Sequence, residues 1–248
     1  MASGLPYMDT VRCCDCLEGL KELPDGCVDL VVTDPPYAYA STHGGGCFGS
    51  DNKRYHSELE PISHGFSVEV NEELLRVMKV PNIYIWCSRD QVRDTLDWWL
   101  DNADVGMDIL TWHKTNPVPT CHNKYLSDTE YLLFFRGKGV KVRGTYETKR
   151  KFLVSSVNKA DKDLYNHPTV KPYGMTRDLI VNSSDAGDVV LDPFAGSGTT
   201  LAAAKELGRH WIGYEISPVY AETANRRVSS VTVAEEPTEQ RRGLECWA

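Results

Sequence analysis

The chain has no apolar run long enough to span a bilayer, and its N-terminus lacks the charged-then-apolar pattern of a secretion signal. No membrane role is expected, and the cytoplasm is the expected compartment. Metal-type cysteine pairing is scarce: Cys13 and Cys16 have CxxC spacing, and no other two of the eight cysteines do. A four-ligand zinc set would have to recruit Cys121 and His122 from far along the chain. Buried thiols are expected instead, as for Cys87 at the end of Ile-Tyr-Ile-Trp-Cys, and no metal is expected. Without a secretion signal, disulfides are not expected either. A surplus of positive charge is also missing: 27 Lys and Arg against 35 Asp and Glu leave −8, which argues against a generic nucleic-acid binder.

What is present fits one domain. A length of 248 residues, 41% hydrophobic and 25% charged, suits a single α/β unit with insertions. Strand-like runs lie at Val11 to Asp15, Val28 to Val32, Asn82 to Cys87, Met107 to Trp112, Glu130 to Phe135, Asp188 to Leu191 and His210 to Tyr214. Helical spacing covers Ser67 to Lys79, Arg89 to Leu100 (core face Leu96, Trp99, Leu100), Tyr173 to Val181, the stretch through Leu201, Ala204 and Leu207, and Pro218 to Val228. Alternating strands and helices imply a doubly wound sheet. Residues 38–65 have no period and read as a long mobile loop, and residues 232–248 as a loosely ordered tail.

Two distant stretches carry the chemistry. In the first, Val28 to Val32 leads into Asp34-Pro35-Pro36-Tyr37. Two prolines stop the strand and leave a carboxylate, a fixed turn and an aromatic ring at its C-terminal end, where open α/β sheets bind ligands. In the second, a strand ends in Asp192-Pro193-Phe194-Ala195-Gly196-Ser197-Gly198-Thr199-Thr200 and a helix follows. Such a bend brings backbone and free N–H groups close to a ligand. A nucleotide phosphate, or a nucleoside with a charged amino-acid tail, could sit there. The bend has neither the Gly-x-Gly-x-x-Gly spacing nor a Gly-Lys-Ser/Thr ending. Asp192 would also repel a pyrophosphate, so a ligand with a cationic group, such as S-adenosylmethionine, suits it better. Glu215 ends the next strand, about twenty residues on, where an acid can accept ribose hydroxyls.

This combination resembles the amino-group DNA methyltransferases that modify adenine N6 or cytosine N4, from Asp15 to about Arg227. The Asp-Pro-Pro-Tyr block precedes the glycine block, and His167-Pro168-Thr169-Val170-Lys171-Pro172 lies between them, as in the β group of those enzymes. The resemblance implies a Rossmann-like, mostly parallel methyltransferase sheet with circularly permuted motif order, spanning residues 1–231. It implies a target-recognition insertion at about 137–165, and it leaves a homodimer open. It places Asp15 and Cys16 at the cofactor adenine, Phe194 on that ring and Glu215 at the ribose. Lys171, with Thr169 nearby, would face the methionine carboxylate, and Asp192 with Ala195, Gly196, Ser197, Gly198 and Thr199 would line the methionine end.

The expected chemistry follows from the amino group of adenine, whose lone pair is delocalised into the ring. Asp34 and the Pro35 carbonyl can accept its two N–H groups and free that lone pair, since Pro35 and Pro36 donate none. Tyr37 offers a stacking face for a base taken out of double-stranded DNA. No cysteine is placed for attack on cytosine C5. The resemblance favours adenine, because the N4-cytosine branch more often has Ser where Asp34 stands. RNA as substrate and a silent DNA-binding regulator share the same blocks. Arg136 to Lys151 holds seven basic residues and one acid. Arg143, Lys149, Arg150 and Lys151 are therefore expected on DNA phosphates, with Lys53 and Arg54 of the long loop.

Overall fold

The computed structural model describes residues 4–36, 67–117, 119, 125–157, 159–165 and 169–234. Tyr37, the expected loop 38–65, Cys121, His122, His167, Pro168 and the tail beyond 234 lie outside the described residues.

Eight strands form one sheet: β1 (Thr10–Cys13), β2 (Leu30–Thr33), β3 (Asn82–Cys87), β4 (Val105–Lys114), β5 (Thr129–Gly137), β6 (Phe152–Ser155), β7 (Val189–Asp192) and β8 (His210–Glu215). Their order is β1-β8-β7-β2-β3-β5-β4-β6. Every neighbouring pair is parallel except the two that involve β5. The central strands β2, β3 and β7 are buried along their whole length, as expected where helices cover both faces.

Alternation divides the core. Val31, Ile83, Ile85, Phe135, Leu191 and Ile212 face one side, with Leu20 of α1 (Cys16–Lys21), Leu74 of α2 (Val68–Val77) and Trp99 of α3 (Val92–Asn102). Leu30, Val32, Tyr84, Trp86, Phe134 and Val190 face the other. There they meet Leu179 and Ile180 of α5 (Tyr173–Ser183) and Ala203 and Ala204 of α6 (Thr199–Glu206). The alanines of α6 let α7 (Pro218–Ser230) pack closely, with Ala202 against Ala224 and Val228. Helices on both faces make the sheet doubly wound, as the strand and helix pattern implied.

Local chemistry sets the helix starts. Asp15 caps α1 by accepting from the N–H groups of Leu17 at 2.8 Å and Glu18 at 3.3 Å. Ser67 caps α2 through Val70 N–H at 3.4 Å.

Three readings need correction. Leu100 is 47% exposed, not core. The helix begins at Val92, and its inward stripe runs Val92, Leu96, Trp99, which leaves Leu100 at the margin. The insertion at 137–165 holds β6 and a short helix, α4 (Lys159–Tyr165), where no period was expected. Both are short, and β6 turns Phe152 and Val154 outward on a sheet edge, so neither element has a strong apolar signature.

Trp99 is fully buried and its Nε1 donates to Asn71 Oδ1 at 3.1 Å. Trp99→Phe should destabilise the fold by about 1–3 kcal/mol, because it leaves that buried amide oxygen without its donor. Urea denaturation reads the loss directly.

Candidate active site

The C-terminal ends of the parallel strands share one edge, and nearly every strand delivers a charged group there. In spatial order these are Asp15 after β1, Glu215 on β8, Asp192 on β7, Asp34 after β2, and Lys114 on β4. β5 runs the other way, so its start places Glu130 at the same edge. The chain leaves β7 towards β8 and leaves β2 towards β3 on the opposite side. Asp192 and Asp34 thus flank the crevice where the winding reverses, the usual ligand position in such sheets.

Lys171 lies just before α5 and is only 7% exposed. Its Nζ is 2.8 Å from Asp34 Oδ2 and 3.0 Å from Glu130 Oε2, while Lys114 Nζ is 2.5 Å from Glu130 Oε1. The ammonium also stands 4.9 Å from the centre of the Trp86 ring. Burial would discharge Lys171, but the Asp34 and Glu130 carboxylates outweigh it and hold its pKa above the ordinary lysine value. Burial likewise pushes the Glu130 carboxyl up, and Lys171 and Lys114 reverse that and bring it to about 2. Lys171 and Glu130 are thus held charged at neutral pH by their neighbours. Beside them, Gln91 donates from Nε2 to the Pro36 carbonyl at 3.3 Å and accepts at Oε1 from Ser88 N–H and Oγ, at 3.2 and 2.8 Å. The Asp-Pro-Pro turn is thereby tied to the end of β3.

The glycine bend meets the other half of the edge. Gly196 and Gly198 have φ of 49° and 76°, a region that favours glycine. A Cβ on Gly198 would stand 2.9 Å from Ala224 Cα, so the bend can pack on α7 only without one. Gly196 N–H donates to Glu215 Oε2 at 2.9 Å and Ser217 N–H to Oε1 at 2.9 Å. Burial raises the Glu215 carboxyl despite these bonds, and its remaining lone pairs can still accept hydroxyls. Ala195 is buried and bonded to the Tyr214 carbonyl at 2.8 Å. Asp192 is 3% exposed and accepts from Phe194 N–H at 3.1 Å. Burial raises its pKa to about 7, and the nearby Asp34 charge adds to the rise. Asp15 follows β1 two residues after Cys13, the partner of Glu215, Cys16 opens α1 with its thiol pushed by burial to about 12, and Thr169 is exposed.

Sequence comparison joins this geometry to known proteins. The family model described as DNA methylase, of the N6/N4 type, matches residues 28–226. The chain belongs to that family. It is 30% identical over 240 residues to the Type II methyltransferase M.HpaI of Haemophilus parainfluenzae, covering 88% of this chain and 73% of that protein. It is 29% identical over 238 residues to M2.DpnII of Streptococcus pneumoniae, covering 87% and 88%. The solved complex of M1.HpyAVI with S-adenosylmethionine matches with a TM-score of 0.64 at 25% identity, over 88% of this chain and 98% of that one.

The methylase uses S-adenosylmethionine, and the residues at the bend fit it. A deeply buried carboxylate that pairs with no cation among the described residues suits a cationic ligand, and Glu215 keeps acceptor capacity towards hydroxyls. When bound, the cofactor supplies an electrophilic methyl group on a sulfonium. The Lys171 ammonium, expected at the methionine carboxylate, is engaged here by Asp34 and Glu130.

Three residues of the methylase site were not anticipated. Glu130 opens a run that reads as plain sheet, Lys114 extends β4 past the expected end at Trp112, and Gln91 falls in the expected helix from Arg89 but precedes the observed one. Only the sheet order brings them to the edge. Several cations of the basic segment are paired within the fold. Arg143 bonds to the end of α5 and pairs with Asp185, ahead of β7, at the edge opposite Asp34. Arg150 pairs with Glu147 at 2.9 Å and Lys151 with Asp108.

Two outcomes follow for the methylase. A cationic ligand favours the ionised form of Asp192, so S-adenosylmethionine affinity should rise with pH through about 7 and level off above about 8. Below 7 it should fall by up to about tenfold per pH unit, with about half a proton released on binding at pH 7. Without cofactor the sign reverses: a carboxyl raised by burial contributes stability at low pH that is lost as pH rises towards 7. Calorimetric titration in buffers of different ionisation enthalpy reads the proton release. Glu130→Gln should lower kcat by about tenfold or more, because it removes one of the two carboxylates that fix Lys171. Cofactor affinity should be unchanged, and single-turnover kinetics with calorimetry separates the two.

Proposed function

We propose that this methylase transfers the methyl group to N6 of adenine in double-stranded DNA, with the target base turned out of the duplex into the crevice at Asp34. The observation that carries the reading is the Asp34 carboxylate, held 2.8 Å from a buried ammonium and followed at once by two prolines. A clamped carboxylate accepts hydrogen bonds without moving. The Pro35 carbonyl offers a second acceptor, and the proline nitrogens add no competing donor. Two acceptors on the amino group draw its nitrogen out of conjugation, so positioning and electrostatics do most of the work. Asp at position 34, rather than Ser, supports adenine over cytosine.

Tyr37 is the proposed stacking face for the extruded base. Tyr125 and Leu126, 99% and 50% exposed, stand just before β5 at the catalytic edge and are suited to meet DNA there. The Type II naming of M.HpaI and M2.DpnII supports a place in restriction–modification.

Asp34→Ala should cut methyl transfer by at least about 10²-fold while leaving the fold and cofactor binding largely intact. Asp34→Ser, which keeps an acceptor, should be slowed less. Nucleoside analysis of methylated DNA should show N6-methyladenine. N4-methylcytosine as the main product would overturn the choice of base, and transfer to RNA alone would overturn the choice of substrate.

A further inference from the structure

A second buried cation stands at the glycine bend, and among the described residues it has no ion-pair partner. Arg227 of α7 is 5% exposed. Its Nη1 donates to Ser197 Oγ at 3.2 Å, to the Ser197 carbonyl at 3.4 Å and to Thr199 Oγ1 at 2.8 Å. Its guanidinium lies 4.0 Å from the Tyr165 ring centre and 5.6 Å from that of Tyr173. Among the described residues no carboxylate forms an ion pair with Arg227, and Nε and Nη2 make no hydrogen bond. Asp161 lies within Coulombic range only, and burial lowers the guanidinium's pKa.

A buried guanidinium without a counter-charge is costly, and tyrosine faces offset only part of that cost. The N-terminus of α6 adds to the positive potential here. It begins at Thr199 after Gly198, with no side-chain cap on its first N–H groups. The bend also links this cation to the buried acid: it runs from Asp192, the last residue of β7, to Thr199, whose Oγ1 accepts from Arg227. A cation and an acid, neither ion-paired among the described residues, thus stand at the two ends of one bend. That arrangement complements a zwitterion, a carboxylate beside an ammonium.

We propose that Arg227 is the receptor for the amino-acid carboxylate of S-adenosylmethionine, the role that Lys171 leaves open by pairing with Asp34 and Glu130. The inference rests on the cofactor assignment above. It adds a residue one position past the end of the family match.

Calorimetric titration of the full chain with S-adenosylmethionine and with its decarboxylated form tests it, because the second compound keeps the sulfonium and ammonium and lacks only the carboxylate. The parent protein should bind the decarboxylated compound at least about tenfold more weakly. Arg227→Gln keeps a donor for Ser197 and Thr199 but removes the charge. It should weaken S-adenosylmethionine by about tenfold or more and leave the decarboxylated compound within about twofold. Arg227→Lys should restore part of the difference. Equal loss of both compounds in Arg227→Gln would make Arg227 a brace for the bend and overturn the proposal, with the cofactor assignment standing. Equal affinity of the two compounds for the parent would overturn it without any variant. A parent that binds neither compound would overturn the cofactor assignment and the proposal together.

Discussion

Lys171 sits between two acids in a place water hardly reaches, and the catalytic edge depends on that ammonium. Bringing a lysine and two carboxylates out of water costs several kcal/mol per ion, and their attraction offsets this only with close geometry. Separations of 2.8 and 3.0 Å, with Lys114 balancing the second acid, supply that geometry. Two acids and two bases then sum to no net charge. The set draws on β2, β4, β5 and the segment before α5, so one buried network fixes the Asp-Pro-Pro turn against three strands. Removing any single member leaves an uncompensated buried charge, which makes the site depend on all four.

The glycine bend follows the opposite logic. Among the described residues Asp192 is buried with no cation paired to it, and Arg227 is buried with no anion paired to it. Each charge is disfavoured by its surroundings: the acid's pKa is raised and the guanidinium's is lowered. The Phe194 N–H holds the acid and the Ser197 and Thr199 hydroxyls hold the guanidinium, so neither has to move when a ligand of complementary charge arrives. One half of the edge is thus electrically complete in the protein alone, and the other half is completed by a zwitterion. That contrast separates a positioning network from a binding pocket better than residue type does, since both are built from the same acids and bases.

Much of this was legible in the sequence, for reasons that are local. Asn82 to Cys87 is a strand in both readings, because an unbroken apolar run between turn residues has few other fates. Asp34, Asp192 and Glu215 were legible because each ends such a run beside a proline or a glycine bend. Glu130, Lys114 and Gln91 were not. Each is a polar residue at the end of an ordinary element, and its role comes from a sheet order in which β5 inserts antiparallel between β3 and β4. Arg227 was hidden by its helix, where a basic residue near the C-terminus reads as a dipole partner. Lys171 was found as important, but its partners come from β2 and β5, which no spacing reveals.

The charge pattern shows the same limit from the other side. Seven basic residues in a row of sixteen read as a DNA-facing patch in a chain whose net charge is −8. In the fold Asp185, Asp108 and Glu147 meet four of its cations, Arg143, Arg136, Lys151 and Arg150. Charge counted along the chain and charge presented to a ligand are different quantities, because a fold is free to pair what the sequence separates. At the catalytic edge the converse holds: scattered single residues, each unremarkable in its own segment, converge on one crevice. The chemistry therefore rests on how buried charges are paired, and the density of charge in any one stretch says little about it.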